Sequence, residues 1–302
     1  RNRFFYGIKT NYGSDKIDFS NFANINKENY PIKISSDAPF YKNSSKNLFD
    51  LPIITHFEKD AGPFITSSII YVKDEETKNQ NSSTHRMLLL NNKEMAIRMV
   101  EGRHLHKCFV QSKEYKEDLK INVVIGVHPA VNLAAAYQAA HGIDEISIAN
   151  YLLNGNLELA KNQFSELMVP KHSEIVLEGK ILHDKFAEEW MVEMLRAYDF
   201  KRKQPIFEIN KIWYRDDPIY YDILPGYTEH RLLMGLPIES KIFGSVKNTV
   251  PTTKSVHLTD GGSNWLNAVI QIKKRLEGEP KNAILTAFSA HPSLKIAIFV
   301  DD

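Results

Sequence analysis

One cysteine stands among the 302 residues of this chain, and neither sign of charge is in excess. Cys108 has no second cysteine with which to form an intrachain disulfide, which favours a reducing compartment, and we expect the cytoplasm. Because 38 lysines and arginines face 37 aspartates and glutamates, no overall positive field would attract a nucleic acid. The hydrophobic content of 43% is typical of a globular protein.

Long apolar runs and several common functional motifs are also absent from the sequence. The longest stretch without a formal charge, residues 121–140, divides into a strand and a helix around His128 and Pro129, so we expect no membrane span. No signal peptide is visible. The glycine-rich loops of dinucleotide-binding and P-loop proteins are missing, as are the serine and cysteine nucleophile motifs, which argues against those classes.

The length of the chain suits two hydrophobic cores. Residues 1–50 form an N-terminal segment, of which residues 10–48 are rich in Asn, Lys and Ser and are either surface loop or segments joined across gaps. We expect a catalytic domain over residues 51–224 and a smaller α/β domain over residues 225–302, with a boundary at Pro225-Gly226. The last apolar run ends at Asp302 with nothing to cover it, so we expect this domain to be truncated.

Apolar periodicity predicts mixed α and β structure. Predicted strands cover residues 64–72, 86–90, 122–127, 173–177, 206–214, 255–258 and 294–300. Predicted helices cover residues 130–140, where Gly142 would end the first one, 146–153, 157–164 and 283–290.

Three polar residues far apart in the chain form a candidate metal site. Asn81, His104 and Glu145 offer an amide oxygen, an imidazole and a carboxylate, which suit Mn²⁺ or Mg²⁺ better than a thiolate metal. The alternative is a turn asparagine, a surface histidine and a helix-end glutamate. Arg86, where a loop becomes a strand, is either a surface cation or a fork for a substrate carboxylate.

A second cluster of acids lies later in the chain. Glu189 and Glu193 would share one face of a helix, beside apolar neighbours that favour a protonated acid near neutral pH. The alternative is an amphipathic helix with a solvated acidic face. Glu188 adds a third acid and leaves the register open.

Five short segments, in fixed order, resemble the UbiD family of decarboxylases, which use a prenylated flavin. They are PIITH followed by DAGPFIT in residues 52–66, NSSTHRM in 81–87, VHPA in 127–130, GIDE in 142–145 and EIVLEG in 174–179. The likeness runs from about Leu51 to Asp302. It implies an α/β (α+β) fold, in which a split-barrel-like flavin-binding domain is followed by a smaller oligomerisation domain, and hence a homo-oligomer.

The resemblance also implies roles for individual residues. Asn81, His104 and Glu145 match the ligands of a Mn²⁺ that bridges the flavin phosphate, and the backbone of residues 135–137 matches a loop that binds a monovalent cation such as K⁺. Arg86 and the acid pair match the catalytic Arg-Glu-Glu set. The other residues that match cofactor-binding positions are Ser82, Thr84, His85, Met87 and Arg103.

The acid pair departs from the family spelling. The family often has Glu-Gly-Pro before the second acid, whereas this chain reads EEWMVE over residues 188–193. Either Glu188 aligns without a gap or Glu189 aligns with one residue deleted. We favour Glu189, because EWMVE, RAYDF in residues 196–200 and GYTEHRLLMG in residues 226–235 resemble an archaeal subgroup, the anhydromevalonate phosphate decarboxylases.

The implied function is reversible, non-oxidative decarboxylation of an α,β-unsaturated acid with prenylated FMN, here anhydromevalonate 5-phosphate giving isopentenyl phosphate. A flavin prenyltransferase would supply the cofactor. Arg86 would hold the substrate carboxylate, Glu193 would protonate the product, and Glu189 would orient Arg86 or share the proton. The cations that could meet the substrate phosphate, or merely solvate a loop, are Arg196, Lys201, Arg202 and Lys203.

Three alternatives remain open at the level of sequence. The substrate could be a 3-polyprenyl-4-hydroxybenzoate of quinone biosynthesis. The chain could be a flavin-binding module without catalysis. It could also be a metal-dependent hydrolase whose Asn, His and Glu ligands hold an activated water.

Overall fold

A computed structural model describes residues 30–137, 144–162 and 164–302. Within those ranges the secondary-structure elements are β1 (Lys33–Ser35), β2 (Asn43–Ser45), β3 (Phe64–Ile65), β4 (Ile69–Lys73), β5 (Gln80–Thr84), β6 (Met87–Leu89), β7 (Glu94–Ile97), α1 (His104–Glu114), β8 (Leu119–Ile125), α2 (Pro129–Ala136), α3 (Glu145–Leu152), β9 (Glu158–Lys161), β10 (Met168–Pro170), β11 (Ile175–Glu189), β12 (Arg202–Tyr214), α4 (Thr228–Thr249), β13 (Thr253–Leu258), β14 (Asn267–Ile272), α5 (Glu279–Ala290) and β15 (Ile296–Asp301).

The described residues fall into two compact units. One comprises residues 30–135, 144–162 and 164–225, and the other comprises residues 136–137 and 226–302. No helix in the described part of the chain is long and apolar enough to cross a membrane.

A nine-stranded antiparallel sheet organises the first unit. Its strands run in the order β3-β6-β7-β12-β11-β8-β4-β5, and β2 also pairs with β12. The long hairpin of β11 and β12 carries register shifts between Glu178 and Gly179 and between Ile181 and Phe186. Such bulges bend a strand and increase its twist, so they curl the sheet.

Gly179 is required at the first of these bulges. A Cβ there would collide with the backbone oxygen of Glu208 and approach the Phe207 ring to 2.6 Å. The close approach of β12 therefore leaves no room for any side chain at this position.

Strand alternation gives the sheet one apolar face. Ile70, Val72, Val123 and Leu177 point into a buried cluster on this face, and Phe109 of α1 packs against the same cluster. Cys108 joins it from α1, and burial raises the pKa of its thiol to about 12.

The second unit has its own sheet and its own core. β13 pairs antiparallel with β14, while β14 and β15 are parallel and joined through α5, which makes a β-α-β crossover. Ile238, Ile242 and Val246 of α4 pack in the same core as Ile270 of β14.

Most predicted elements are confirmed within a few residues, and the mixed α/β class is correct. The predicted strand over residues 64–72 is interrupted at 66–68, and the predicted helix over 130–140 ends at Ala136, with residues 138–140 and Gly142 outside the described residues.

The predicted helix over residues 157–164 is wrong. Residues 158–161 form β9, which pairs parallel with β1 and antiparallel with β10; residue 163 lies outside the described residues. Pairing with two strands outweighs the helical propensity of so short a segment.

Candidate active site

Arg86 follows His85 in the short connection between β5 and β6. The N–H of His85 donates to the carbonyl of Ser68 at 3.2 Å, and the hydroxyl of Ser68 donates back to the carbonyl of His85. His85 Nδ1 lies 2.7 Å from the carbonyl oxygen of Arg98, so Nδ1 carries the proton and the hydroxyl of Ser83 donates to Nε2 at 2.9 Å. Burial lowers the pKa of His85 to about 4, so the ring is neutral.

Glu189 meets Arg86 in a two-pronged ion pair. Arg86 Nε–H donates to Oε2 of Glu189 and Nη2–H donates to Oε1, both at 2.9 Å. The side chain of Glu189 is 0% exposed and that of Arg86 is 16% exposed. Nη2 also donates to Oδ2 of Asp199 at 3.2 Å. Among the described residues Nη1 has no hydrogen-bond partner, so one edge of the guanidinium remains available for another carboxylate.

Glu189 and Glu193 do not share one face of a helix, which corrects the expectation from the sequence. Glu189 is the last residue of β11, and residues 190–201 form the loop that leads to β12. Glu188 is exposed and lies opposite Lys203 in the neighbouring strand, because successive side chains of a strand point to opposite faces. Strand alternation therefore selects Glu189, rather than Glu188, as the partner of Arg86.

Glu193 lies partly buried in the loop, and its carboxylate and backbone N–H form hydrogen bonds within residues 193–197. Its carboxylate accepts from the N–H of Leu195 at 3.2 Å, and its N–H donates to the carbonyl of Ala197 at 2.9 Å. The described residues include no hydrogen bond between Glu193 and Arg86.

The DAGPFIT segment anchors this loop. The N–H of Ala61 donates to the carbonyl of Trp190 at 3.0 Å, and the N–H of Val192 donates to Asp60 Oδ1 at 3.0 Å. The indole N–H of Trp190 donates to the carbonyl of Lys59 at 2.8 Å. The loop behind Glu189 is therefore held by one hydrogen bond between backbone groups and two between a side chain and the backbone.

Asn81, His104 and Glu145 converge in the same unit. Asn81 Nδ2 lies 3.0 Å from His104 Nδ1 and 3.0 and 3.1 Å from the two carboxylate oxygens of Glu145. Glu145 Oε2 also accepts from the N–H of Ser82 at 3.1 Å. Three residues from β5, α1 and α3 thus direct their polar atoms to one point.

The donor set fits a hard divalent cation. Asn81 Nδ2 donates toward one histidine nitrogen and two carboxylate oxygens, a set of acceptors that would also surround a bound cation. Asn81 Oδ1 is buried and has no hydrogen-bond partner among the described residues. Rotating the amide by 180° would exchange the two atoms and present the oxygen as a ligand. Burial raises the pKa of Glu145 to about 7, and a bound cation would keep the carboxylate ionised. The described residues contain no group of three or more His, Cys, Asp or Glu arranged for a metal, so the amide is needed.

The remaining residues that the sequence predicted to bind the cofactor lie in or beside β5, β6, α1 and α2. Ser82 is buried in β5 and Thr84 is exposed at its end, while Met87 is fully buried at the start of β6. Arg103 is exposed and immediately precedes α1, where no side chain caps the first N–H groups. Ala135 and Ala136 end α2, and Tyr137 follows; Gly142 and Ile143 lie outside the described residues.

Sequence reasoning missed two polar residues at the site. Asp199 accepts from Arg86 and from Arg202 Nη2 at 2.9 Å, and Arg98 Nε lies 3.7 Å from Glu189 Oε1. The sequence had offered Arg202 as a phosphate ligand, with no role for Asp199. An arginine at the end of β7 and an aspartate in a loop carry no spacing signal that would have brought them together.

The described fold and residues belong to a known family of proteins, whose two domains match successive parts of this chain. Residues 32–228 match the family of domains described as the 3-octaprenyl-4-hydroxybenzoate carboxy-lyase Rift-related domain. Residues 231–302 match the family described as the 3-octaprenyl-4-hydroxybenzoate carboxy-lyase C-terminal domain. The chain belongs to the UbiD family.

Several curated relatives are archaeal proteins named anhydromevalonate phosphate decarboxylase. The chain is 45% identical over 257 residues to that of Methanocaldococcus jannaschii, covering 85% of this chain and 60% of that protein. It is 40% identical over 273 residues to that of Methanothermobacter thermautotrophicus, covering 90% of this chain and 64% of that protein. The chain therefore spans less than two thirds of these relatives.

Solved structures of the UbiD-class enzyme HmfF from Pelotomaculum thermopropionicum share the fold. The complex with FMN has a TM-score of 0.87 at 35% identity, covering 96% of this chain and 69% of that one. An evolved dimeric form in complex with prFMN has a TM-score of 0.87 at 37% identity, covering 90% of this chain and 65% of that one.

Proposed function

We propose that this chain carries the active site of a decarboxylase that uses prenylated FMN and converts anhydromevalonate 5-phosphate to isopentenyl phosphate. The observation that carries the proposal is the buried Arg86–Glu189 pair, whose remaining guanidinium edge can receive a substrate carboxylate. The names of the archaeal relatives support the substrate.

Arg86 binds the carboxylate that will be lost. Glu189 fixes two of the guanidinium N–H groups, so the remaining edge is aimed before substrate arrives. When the bond from the α-carbon to the carboxylate breaks, carbon dioxide leaves and the electron pair stays with the substrate. Prenylated flavin, when bound, would supply the electrophile that stabilises the negative charge left on the substrate by the loss of carbon dioxide.

A proton must then reach the α-carbon, and Glu193 is the proposed donor. Its place in the chain matches the second acid of the family, and its loop follows Glu189 directly. In its protonated form the side chain would leave the N–H of Leu195, donate its proton to the α-carbon and, as the resulting carboxylate, regain a proton from solvent.

Asn81, His104 and Glu145 would hold Mn²⁺ or Mg²⁺, and through it the flavin phosphate. The uncapped start of α1 beside His104 offers backbone N–H groups to the same phosphate. Ser82, Thr84, His85, Met87 and Arg103 would line the flavin, and residues 135–137 would bind K⁺.

The substrate phosphate needs cations outside the carboxylate site. Arg202 is already committed to Asp199, and Lys201 Nζ lies 4.2 Å above the centre of the Trp190 ring. Lys203, which is exposed on β12, is therefore the stronger candidate for the phosphate, and Arg196 stays a candidate from the sequence. We also propose a cytoplasmic homo-oligomer that receives its cofactor from a flavin prenyltransferase.

The test is to produce the protein together with a flavin prenyltransferase and to measure its visible spectrum and carbon dioxide release. A bound prenylated flavin with turnover supports the proposal. Bound flavin without turnover on any unsaturated acid would indicate a non-catalytic flavin-binding module. Metal-dependent hydrolysis without flavin would indicate the hydrolase.

A further inference from the structure

Asp199 is the centre of a charged network that the proposed reaction does not yet use. Oδ2 accepts from Arg86 at 3.2 Å and Oδ1 accepts from Arg202 at 2.9 Å. Arg98 Nε lies 3.9 Å from Oδ2 of Asp199 and 3.7 Å from Oε1 of Glu189. The two acids therefore share two arginines, and the third arginine contacts Asp199 alone.

The direct ion pairs of this network involve more positive than negative groups. Three guanidinium groups contact two carboxylates, Glu189 and Asp199, and the side chain of Asp199 is only 17% exposed. A substrate carboxylate on Arg86 would equalise these direct contacts, while the charge of Glu101 acts on Arg202 from further away. Although partial burial alone would raise the pKa of Asp199, its hydrogen bond to Arg202 and the nearby charge of Arg86 hold the pKa below its ordinary value.

The backbone fixes where Asp199 sits. Its N–H donates to the carbonyl of Met191 at 2.9 Å, and the preceding residue, Tyr198, forms a bridge with Val192. The Tyr198 hydroxyl accepts from the N–H of Lys59 at 3.1 Å. Asp199 is thus presented to Arg86 by the same loop that the DAGPFIT segment anchors.

Two contacts define the orientation of a planar guanidinium better than one. Glu189 holds the edge made by Nε and Nη2, and a guanidinium bound only there can still tilt about that edge. Asp199 accepts a second hydrogen bond from Nη2, in a direction different from that of Glu189. This second contact restricts the tilt of the guanidinium and so fixes the direction in which Nη1 points.

We propose that Asp199 is a positioning residue of the decarboxylase site, which aims the free edge of Arg86 at the substrate carboxylate and is itself held by Arg202. The proposal rests on the proposed function, because it assigns Asp199 to the reaction at Arg86.

The first test is Asp199→Asn in holoenzyme, with kcat and KM measured separately. The isosteric amide removes one negative charge, so the substrate anion should bind as well or better, while a less well aimed Arg86 should lower kcat about 10-fold or more. The dissociation constant of a saturated, unreactive analogue of the acid, measured by calorimetry, should be unchanged or lower. The control is Asp216→Asn, since Asp216 pairs with Lys42 on an exposed surface and should keep wild-type kcat.

A second variant separates positioning from simple loss of folding. Arg202→Gln removes the outer support of Asp199 without touching Arg86, and it should lower kcat by a smaller factor. The double variant should be no slower than Asp199→Asn alone, because both changes act through one contact. The flavin spectrum and Tm should stay near wild type in all three variants.

The outcomes distinguish the two proposals. A wild-type holoenzyme that releases no carbon dioxide defeats the proposed function. An active wild type whose Asp199→Asn variant keeps its kcat defeats the positioning role alone. A parallel loss of kcat, analogue binding and Tm would also overturn it, because a merely structural residue would give that pattern.

Discussion

Arg86 and Glu189 form a buried, two-pronged ion pair across 103 positions of sequence, with both N–H···O distances at 2.9 Å. The strand β11 ends at Glu189, and the turn from β5 to β6 presents Arg86. Removing one partner of such a pair leaves an uncompensated charge away from water, which costs about 3–5 kcal/mol. The pair therefore holds Arg86 in one orientation, and the proposed substrate carboxylate would bind to the guanidinium in that orientation.

Glu189→Gln should abolish most turnover, whereas the matched change at the adjacent position, Glu188→Gln, should not. The amide can accept only one of the two Arg86 hydrogen bonds and carries no charge, so we expect kcat/KM to fall at least about 100-fold. Glu188 is exposed on the other face of the strand and should stay within about twofold. Steady-state kinetics on both variants checks this; equal losses would refute the assignment by strand alternation.

Glu193→Gln should remove decarboxylation while the flavin stays bound, because the amide keeps the shape of the side chain and loses the proton. The visible spectrum measures cofactor binding, and carbon dioxide release measures the reaction. Near wild-type turnover in this variant would move the proton donor to another acid of the site, and Glu189 would be examined next.

Glu145→Gln should weaken both the metal and the flavin. The amide keeps one possible oxygen ligand but loses the charge that a divalent cation needs, so we expect metal affinity to fall about 10- to 100-fold. Metal content by plasma mass spectrometry and flavin content by absorbance give the two readouts. The control is His106→Gln, which changes a histidine two residues from His104 and should leave metal content and flavin content unchanged. If Glu145→Gln retained full metal and flavin, the three residues would not be the metal site.

The neutral state of His85 predicts a pH dependence of stability. Its folded-state pKa of about 4 lies below the ordinary 6.5, so the unfolded chain binds more protons between these values. Stability should therefore fall as pH falls through that window, by roughly 2–3 kcal/mol between pH 7.5 and 4.5 from this group. Urea denaturation of flavin-free protein measures it. His85→Gln should lack this component; a loss of the same size in both proteins would contradict the assignment.

Local sequence patterns were enough for much of the fold. The strands β8 and β13 and the helix α3 have clear apolar runs with turn residues at their ends, and they form nearly where predicted. Strand β9 was not predicted from the local sequence, because its structure depends on pairing with β1, which lies more than 100 residues earlier in the chain. The 22-residue helix α4 was also missed, since its apolar residues are interrupted by Pro237 and by scattered charges.

The candidate site divides in the same way. Asn81, His104 and Glu145 came from a family likeness, and no spacing along the chain would have joined them. The subgroup spelling favoured Glu189 over Glu188, and the strand supplies the physical reason, because alternation places Glu189 against Arg86 and leaves Glu188 exposed. Asp199 and Arg98 became visible only through distances in space, which a single sequence does not contain.

The most direct test of the account is a competition between anhydromevalonate phosphate and a prenylated 4-hydroxybenzoate, using holoenzyme reconstituted with prenylated flavin. Both acids are supplied at equal concentration, and each product is quantified by mass spectrometry. We expect carbon dioxide to come from anhydromevalonate phosphate, with formation of isopentenyl phosphate. Release of carbon dioxide from the aromatic acid alone would contradict the proposed substrate.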